Sequence, residues 1–184
     1  MSGQIGIIGV DPGMAGALCL LIDGKLSAIF DMPILDLPGK KKLAYDKNGL
    51  PVEKVGKNHA VDPFGVKRVL NNWKDHVDGP ITLVIEKMWS RPGQSSLSMD
   101  KLLFGAGLVE GIAIGIGFGV CKVAPSSWKA SMGVTADKKT ALALARKLAQ
   151  GEDDSAKWYR MFSRARDDGR AEAYLLAKYG QETT

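Results

Sequence analysis

The sequence predicts an α/β fold, a mixed five-stranded sheet flanked by helices, and three observations predict it. Three short apolar, β-rich runs follow one another near the N-terminus with turn formers between them. Strand-length apolar runs then alternate with helix-length segments, and the last third of the chain has helical patterning throughout.

Gly3 to Val10, Ala15 to Ile22 and Lys25 to Met32 are the three runs. Asp11-Pro12-Gly13 and Asp23-Gly24 separate them, so the last two form a hairpin and all three an antiparallel meander. Pro33 to Ala60 is rich in Lys, Gly, Pro and Asn with little periodicity, which predicts an extended loop or a protruding hairpin. From Val61 the positions Phe64, Val66, Val69, Leu70 and Trp73 recur at helical spacing behind a cap at Asp62 and Pro63. Ile81 to Ile85 is wholly apolar and bounded by Gly79-Pro80, as a central strand buried on both faces requires. A polar loop, Ser90 to Ser96, leads to a long glycine-rich helix with close backbone packing. Val120 to Ala124 is a strand and Ser126 to Met132 a helical turn. Lys138 to Gln150 is amphipathic, Asp153 to Arg166 is a charged helical segment, and Gly169 to Lys178 is a final helix. The strands at 81–85 and 120–124, joined through helices, complete the sheet as its parallel members.

With 184 residues, 45% of them hydrophobic and 24% charged, the chain fits one domain spanning 1–184, with a basic insertion at about 34–60, and long disorder is excluded. Cys19 and Cys121 lie in apolar runs without metal-ligand spacing, which disfavours a disulfide framework and a zinc site and fits a reducing compartment. The N-terminus lacks the basic segment of a secretory signal, so a cytoplasmic protein is expected. The longest apolar stretch, Leu102 to Val120, carries Glu110 and six glycines, which argues against a membrane span. GIGFG at 115–119 stands before a strand rather than between strand and helix, where a dinucleotide loop must stand.

The formal net charge is +5. Lys122 to Arg170 holds eleven basic residues against six acidic, and Pro38 to Arg68 holds eight against three, including Lys40, Lys41 and Lys42. Two such zones fit a polyanionic partner, nucleic acid above all, although charge alone equally fits a solvated surface.

The acidic residues are more specific. Asp11 follows one apolar strand and Glu86 another; on parallel neighbours both carboxylates emerge at the same C-terminal sheet edge. Asp168 and Glu172 are four apart, on one face at the start of the last helix. Taken singly, Asp11-Pro12-Gly13 is an ordinary turn and Asp168 an ordinary N-cap. Glu86, ending a buried strand, needs a partner. Together the four form an oxygen-rich set suited to Mg²⁺ or Mn²⁺, ions that activate water for phosphodiester cleavage. On a helix beginning near Gly169, Asp168 lies about 40° from Glu172 around the axis whereas Asp167 faces away, so Asp168 is the expected ligand.

IGVDPGMAGAL at 8–18, LVIEKMW at 83–89, PSSWKASMGVTADKK at 125–139 and DDGRAEAYLLAKYG at 167–180, in this order, resemble the RuvC-like Holliday-junction resolvases of the RNase H-like superfamily, in particular the phage and bacterial branch. The resemblance spans the chain except for residues 34–60. It implies an Mg²⁺-dependent homodimeric endonuclease, cytoplasmic and nucleoid-associated or in the host cytoplasm if viral, that makes paired nicks in a four-way DNA junction. Carried over by residue, it places Asp11, Glu86, Asp168 and Glu172 on the catalytic, metal-holding carboxylates. Trp89 falls where bacterial members have an aromatic that stacks at the junction centre, with a core Trp as the alternative. Lys129 and Lys138 fall near basic residues used at the scissile phosphate. Lys139, Arg91 and Lys40–Lys42 are further candidate DNA contacts. Two departures stand out: the final acids are four apart and end in Glu where bacterial members space two aspartates by three, and the 34–60 insertion has no counterpart.

Other functions compete. DPGMAG also resembles the phosphate loop of actin-like ATPases and sugar kinases, but that class needs two such domains around the nucleotide. A nuclease of broader branched-DNA or RNA:DNA specificity would use the same carboxylates. A non-catalytic DNA-binding module would have no need of all four.

Overall fold

In the computed structural model, which describes residues 3–89 and 96–183, the chain builds one five-stranded sheet and a separate two-stranded ribbon. The sheet comprises β1 (Gly6–Asp11), β2 (Ala17–Ile22), β3 (Lys25–Asp31), β6 (Ile81–Glu86) and β7 (Gly119–Val123), in the order β3-β2-β1-β6-β7. β1, β2 and β3 are antiparallel neighbours, whereas β6 runs parallel to β1 and β7 parallel to β6. The ribbon pairs β4 (Ile34–Tyr45) with β5 (Pro51–Val61). The helices are α1 (Pro63–Lys74), α2 (Ser96–Gly115), α3 (Pro125–Ser131), α4 (Lys138–Ala149), α5 (Ser155–Met161) and α6 (Asp168–Thr183).

Strand alternation divides the core into two layers. Ile8, Val10, Leu18, Leu20, Leu83 and Ile85 point to one side, where Val66, Leu70 and Trp73 of α1 and Val109 and Ala113 of α2 cover them. Ile7, Cys19, Leu21 and Val84 point to the other, beneath α6, α4, Trp128 and Phe162. On this second side Gly9 lets α6 approach: a Cβ there would meet the Ala173 carbonyl at 2.0 Å. At the start of α6, a Cβ on Gly169 would meet the Ala15 carbonyl at 2.3 Å. The backbone of α6 therefore lies directly on β1 and on the turn that follows it. Glu152 ties the loop after α4 to the same layer, accepting from Leu26 N–H at 2.9 Å, Tyr174 Oη at 2.6 Å and Lys178 Nζ at 2.7 Å.

Residues 34–60 form a long ribbon exposed along most of its length. Its tip is closed by Asp46, whose Oδ1 accepts from the backbone N–H groups of Asn48 and Leu50, and by Gly49 at φ 80°. Three expectations need correction. The glycine-rich helix spans Ser96–Gly115 and so ends before the apolar stretch does at Val120, the chain turning through Gly117 at φ 93°. That helix is also not closely packed along its length: Gly105 meets Val61, but Gly107, Gly111 and Gly115 have no neighbour within 4 Å of a built Cβ. The charged segment from Asp153 to Arg166 is helical only over Ser155–Met161, because Asp154 enters it in the left-handed region, φ 54°, and the chain leaves the helix at Phe162. Among the described residues no helix is long and apolar enough to cross a membrane.

Candidate active site

Asp11 ends β1 and Glu86 ends β6, and the parallel register that pairs Val10 with Ile85 sets them side by side. Alternation decides which way they face. Asp11 shares parity with Ile7 and Gly9, and Glu86 with Val84, so both carboxylates turn to the side covered by α6. There α6 brings Asp168 on its first turn and Glu172 one turn later. The tight approach at Gly9 and Gly169 thus carries two acidic residues of α6 to the end of β1.

The electrostatics reflect this convergence. Burial is the main cause that pushes the Asp11 carboxyl up to about 6, and the negative charges of Glu172 and Glu86 push the same way. The Gly13 N–H at 3.1 Å and the charge of Lys138 oppose the shift without cancelling it. Lys138 pairs with Asp168, and this hydrogen bond first, then the charges of Asp168, Glu172 and Asp11, hold its ammonium above the ordinary lysine range. Lys129 reaches Glu172 at 3.5 Å and lies over the Trp128 ring, 5.1 Å from its centroid. Two lysines therefore supply the counter-charge that four neighbouring carboxylates need.

Sequence reasoning missed Trp128. It is fully buried, and its Nε1–H donates to Glu86 Oε1 at 2.8 Å. A buried indole N–H needs an acceptor, and a Trp in the short segment after β7 was the available signal. Asp167 and Asp168 have different partners. Asp167 is buried and takes Arg164 N–H at 2.7 Å, Nε at 2.9 Å and Nη2 at 2.7 Å, with Arg170 Nη1 at 3.8 Å. Burial alone would raise its carboxyl, but the hydrogen bonds and charges of the two arginines hold it below the usual carboxylate range. Arg170 also grips Asp31 through both carboxylate oxygens at 2.5 and 2.6 Å, which braces the start of α6 against β3. Asp168 faces the carboxylate cluster instead.

The remaining candidates are dispersed. Trp89 is 59% exposed just beyond β6, which excludes a core role. Lys139 is exposed on the first turn of α4, beside Lys138. Lys40, Lys41 and Lys42 lie out on the ribbon; Lys41 pairs with Glu53 at 2.7 Å, and Lys42 stands directly opposite Lys54. Arg91 lies outside the described residues.

The donor set at the sheet edge is all oxygen, with the charges of Glu172 and Glu86 felt at Asp11, and ammonium groups pair with two of its members. That chemistry fits a hard divalent cation held by Asp11, Glu86, Asp168 and Glu172. Among the described residues, however, no three acidic, His or Cys side chains converge on a single point. Lys138, Lys129 and Trp128 each engage one carboxylate, Asp168, Glu172 and Glu86 in turn.

No protein-family model matches the chain, and no curated protein does. Solved structures do. RuvC of T. thermophilus in complex with a Holliday junction substrate superposes with a TM-score of 0.51 at 14% identity, over 95% of this chain and 91% of that one. Thermus thermophilus RuvC in another structure gives 0.48 at 14% identity, over 96% and 95%. The yeast mitochondrial Holliday junction resolvase Ydc2 gives 0.49 at 11% identity, over 94% and 76%. The first of these similarities establishes the fold: the chain has the RNase H-like architecture of RuvC.

Proposed function

We propose that this chain is a structure-selective DNA endonuclease that resolves four-way junctions by paired, metal-dependent phosphodiester hydrolysis. The observation that carries the reading is that Asp11, Glu86, Asp168 and Glu172, from three elements, lie about one C-terminal edge of an RNase H-like sheet, with Lys138, Lys129 and Trp128 among them. The RuvC of like fold was captured with a Holliday junction substrate. The four blocks of sequence resemblance point to the same class.

In this reading the four carboxylates hold Mg²⁺, or Mn²⁺ in its place, which would supply an activated water and neutralise the leaving oxygen. The protein's own groups then have distinct tasks. Trp128 fixes the orientation of Glu86 by its indole N–H. Lys138 and Lys129, already at the cluster, have ammonium groups within reach of a phosphate lying over it. The N-terminus of α6 adds positive potential. Lys139, Arg91 and the ribbon lysines Lys40–Lys42 contact the DNA backbone away from the cut, and Trp89 stacks on a base at the crossover. Residues 1–184 act as one nuclease domain from which the basic ribbon projects, in the cytoplasm.

Two coordinated nicks need two sites related by a two-fold axis, so the working form is a homodimer. The outer face of α2, with Phe104 and Ile114 exposed around Gly107 and Gly111, is the surface available for close helix packing. Sedimentation at micromolar concentration should show the dimer, and a monomer with and without junction would remove this part of the reading.

The decisive experiment incubates the protein with a four-way junction, a linear duplex and an RNA:DNA hybrid, each with and without Mg²⁺. Paired, Mg²⁺-dependent nicks confined to the junction are expected. Equal cutting of the hybrid or of any branched DNA would assign a broader nuclease, and binding without cutting a non-catalytic module.

A further inference from the structure

A cavity of about 290 Å³ opens at the end of β6, on the far side of Glu86 from α6. β6 and β7 form its floor, α2 its wall, and Trp89 lies at its rim. The mechanism above gives it no task. Its lining combines two chemistries. Met88, Leu103 and Ala106 are apolar, whereas Lys122 and Glu110 form an ion pair at 2.6 Å with their side chains 48% and 25% exposed. Each partner keeps hydrogen-bonding capacity, because an ammonium has three donors and a carboxylate about four acceptor positions. Gly107 forms part of the wall, and a Cβ there would meet nothing within 4 Å, so the mouth stays open where any other residue would narrow it.

A volume near the lower end of small-ligand pockets, roughly 300 Å³, with an apolar lining and one donor–acceptor pair suits a ligand the size and polarity of a nucleobase. Enzymes that take a base out of the stack hold it between aromatic or apolar side chains and read its Watson–Crick edge by hydrogen bonds. Among the four bases, guanine alone presents two adjacent N–H donors beside a carbonyl acceptor. A carboxylate can accept from both donors while a neighbouring ammonium donates to the carbonyl. We propose that this cavity takes an unpaired guanine of the DNA substrate, with Glu110 on its N1–H and N2–H, Lys122 on O6 and Trp89 across its face. The site rests on the junction-nuclease reading, which it deepens by naming a specificity-determining pair. Because Glu86 lines both the cavity and the carboxylate cluster, a base seated here fixes which phosphate lies over the cluster.

Two measurements test it. The first compares nicking of four-way junctions that carry G, A, C or T at the cleaved position. Wild-type protein should prefer one guanine-containing position by at least tenfold, and Glu110→Gln and Lys122→Met should each reduce that preference below threefold. The second follows tryptophan emission without metal, where Trp89 is the exposed indole, during titration with short single-stranded oligonucleotides. Guanine-containing strands should quench it most. Gly107→Leu, a change that favours the helix and fills the cavity, should abolish the difference. Absence of base preference, or its survival in both ion-pair variants, overturns the proposal. So does quenching that rises with protein concentration alone and disappears in Gly107→Leu, since a second copy would then fill the cavity. If no junction is cut whatever its base, the junction reading fails on its own, and base-dependent quenching still decides the pocket.

Discussion

Two glycine-rich regions lie on opposite faces of the sheet and use glycine in opposite ways. Under α6, Gly9, Gly169 and Gly180 sit where a Cβ would run into the Ala173 carbonyl, the Ala15 carbonyl and the Val84 side chain, at 2.0, 2.3 and 2.4 Å. Along α2, Gly107, Gly111 and Gly115 face open space. In the first region the missing side chains press a helix backbone onto β1 and so deliver Asp168 and Glu172 to Asp11. In the second they leave a smooth strip between exposed Phe104 and Ile114. Glycine in sequence therefore reports close approach only once the covered face is known.

The largest expected effects fall on what the α6 side assembles. Asp11→Asn, Glu86→Gln and Asp168→Asn should each lower the nicking rate by about a thousandfold or more, roughly 4 kcal/mol in barrier, while junction binding in gel shifts survives or tightens as negative charge is removed. Asp11 also sets a pH dependence. Its carboxyl is raised from 3.8 to about 6, so between those values the folded protein binds the extra proton and its metal-free stability falls as pH rises. Asp11→Asn should remove that slope and stabilise the metal-free protein above pH 6 by an amount of order 1–3 kcal/mol, read by urea melts at pH 5 and pH 8. A slope unchanged in the variant would assign it elsewhere.

Gly9→Ala comes next and tests the packing directly. A methyl group 2.0 Å from a helix carbonyl must displace α6, so a loss of about 2–4 kcal/mol of stability is expected, with a drop in nicking even where the protein stays folded. If stability falls by less than about 1 kcal/mol, α6 is not held as closely as described.

Much of this was legible in the sequence, and the exceptions have local causes. The strands are marked by apolar runs and turn residues, and the shared edge of Asp11 and Glu86 follows once their two strands are parallel neighbours, as they are. The sequence at 34–60 admits either a loop or a hairpin because the ribbon's strands are exposed on both faces, so neither shows the alternation that a core imposes. The packing of α2 is not legible in its sequence because a uniformly apolar helix carries no stripe to mark its buried side. Trp128 was missed because its partner Glu86 lies 42 residues away. That Asp167 and Asp168 face different ways follows from helical angles, but the arginines that hold Asp167 could not be read from spacing.

Those arginines shape a smaller effect. Asp167→Asn leaves Arg164 and Arg170 without a buried carboxylate partner, so it should cost about 1–3 kcal/mol of stability in thermal melts. Nicking at a temperature where the variant is folded should stay within about tenfold of wild type, below 1.4 kcal/mol in barrier. A catalytic defect matching that of Asp168→Asn would exchange their roles. Trp128→Phe removes the N–H on Glu86 while keeping most of the buried ring, and it should weaken Mg²⁺ or Mn²⁺ binding about 10- to 100-fold by calorimetry.

The smallest effect has the sign that separates the two faces. At an exposed helix position Ala is more favourable than Gly by up to about 1 kcal/mol, because it loses less backbone entropy on folding. Gly111 sits mid-helix in α2 with nothing within 4 Å of a built Cβ, so Gly111→Ala should raise the monomer's stability by roughly 0.5–1 kcal/mol. The same methyl group at Gly9 is strongly destabilising, which makes the pair a contrast of one chemical change on two faces. If α2 packs against a second copy through this strip, the gain holds only at dilutions where the dimer has separated. At higher concentration the added methyl widens the helix–helix spacing, and sedimentation should show a weaker dimer. Stabilisation of equal size across the whole concentration range would mean that Gly111 faces water in every state and that the dimer forms through another surface.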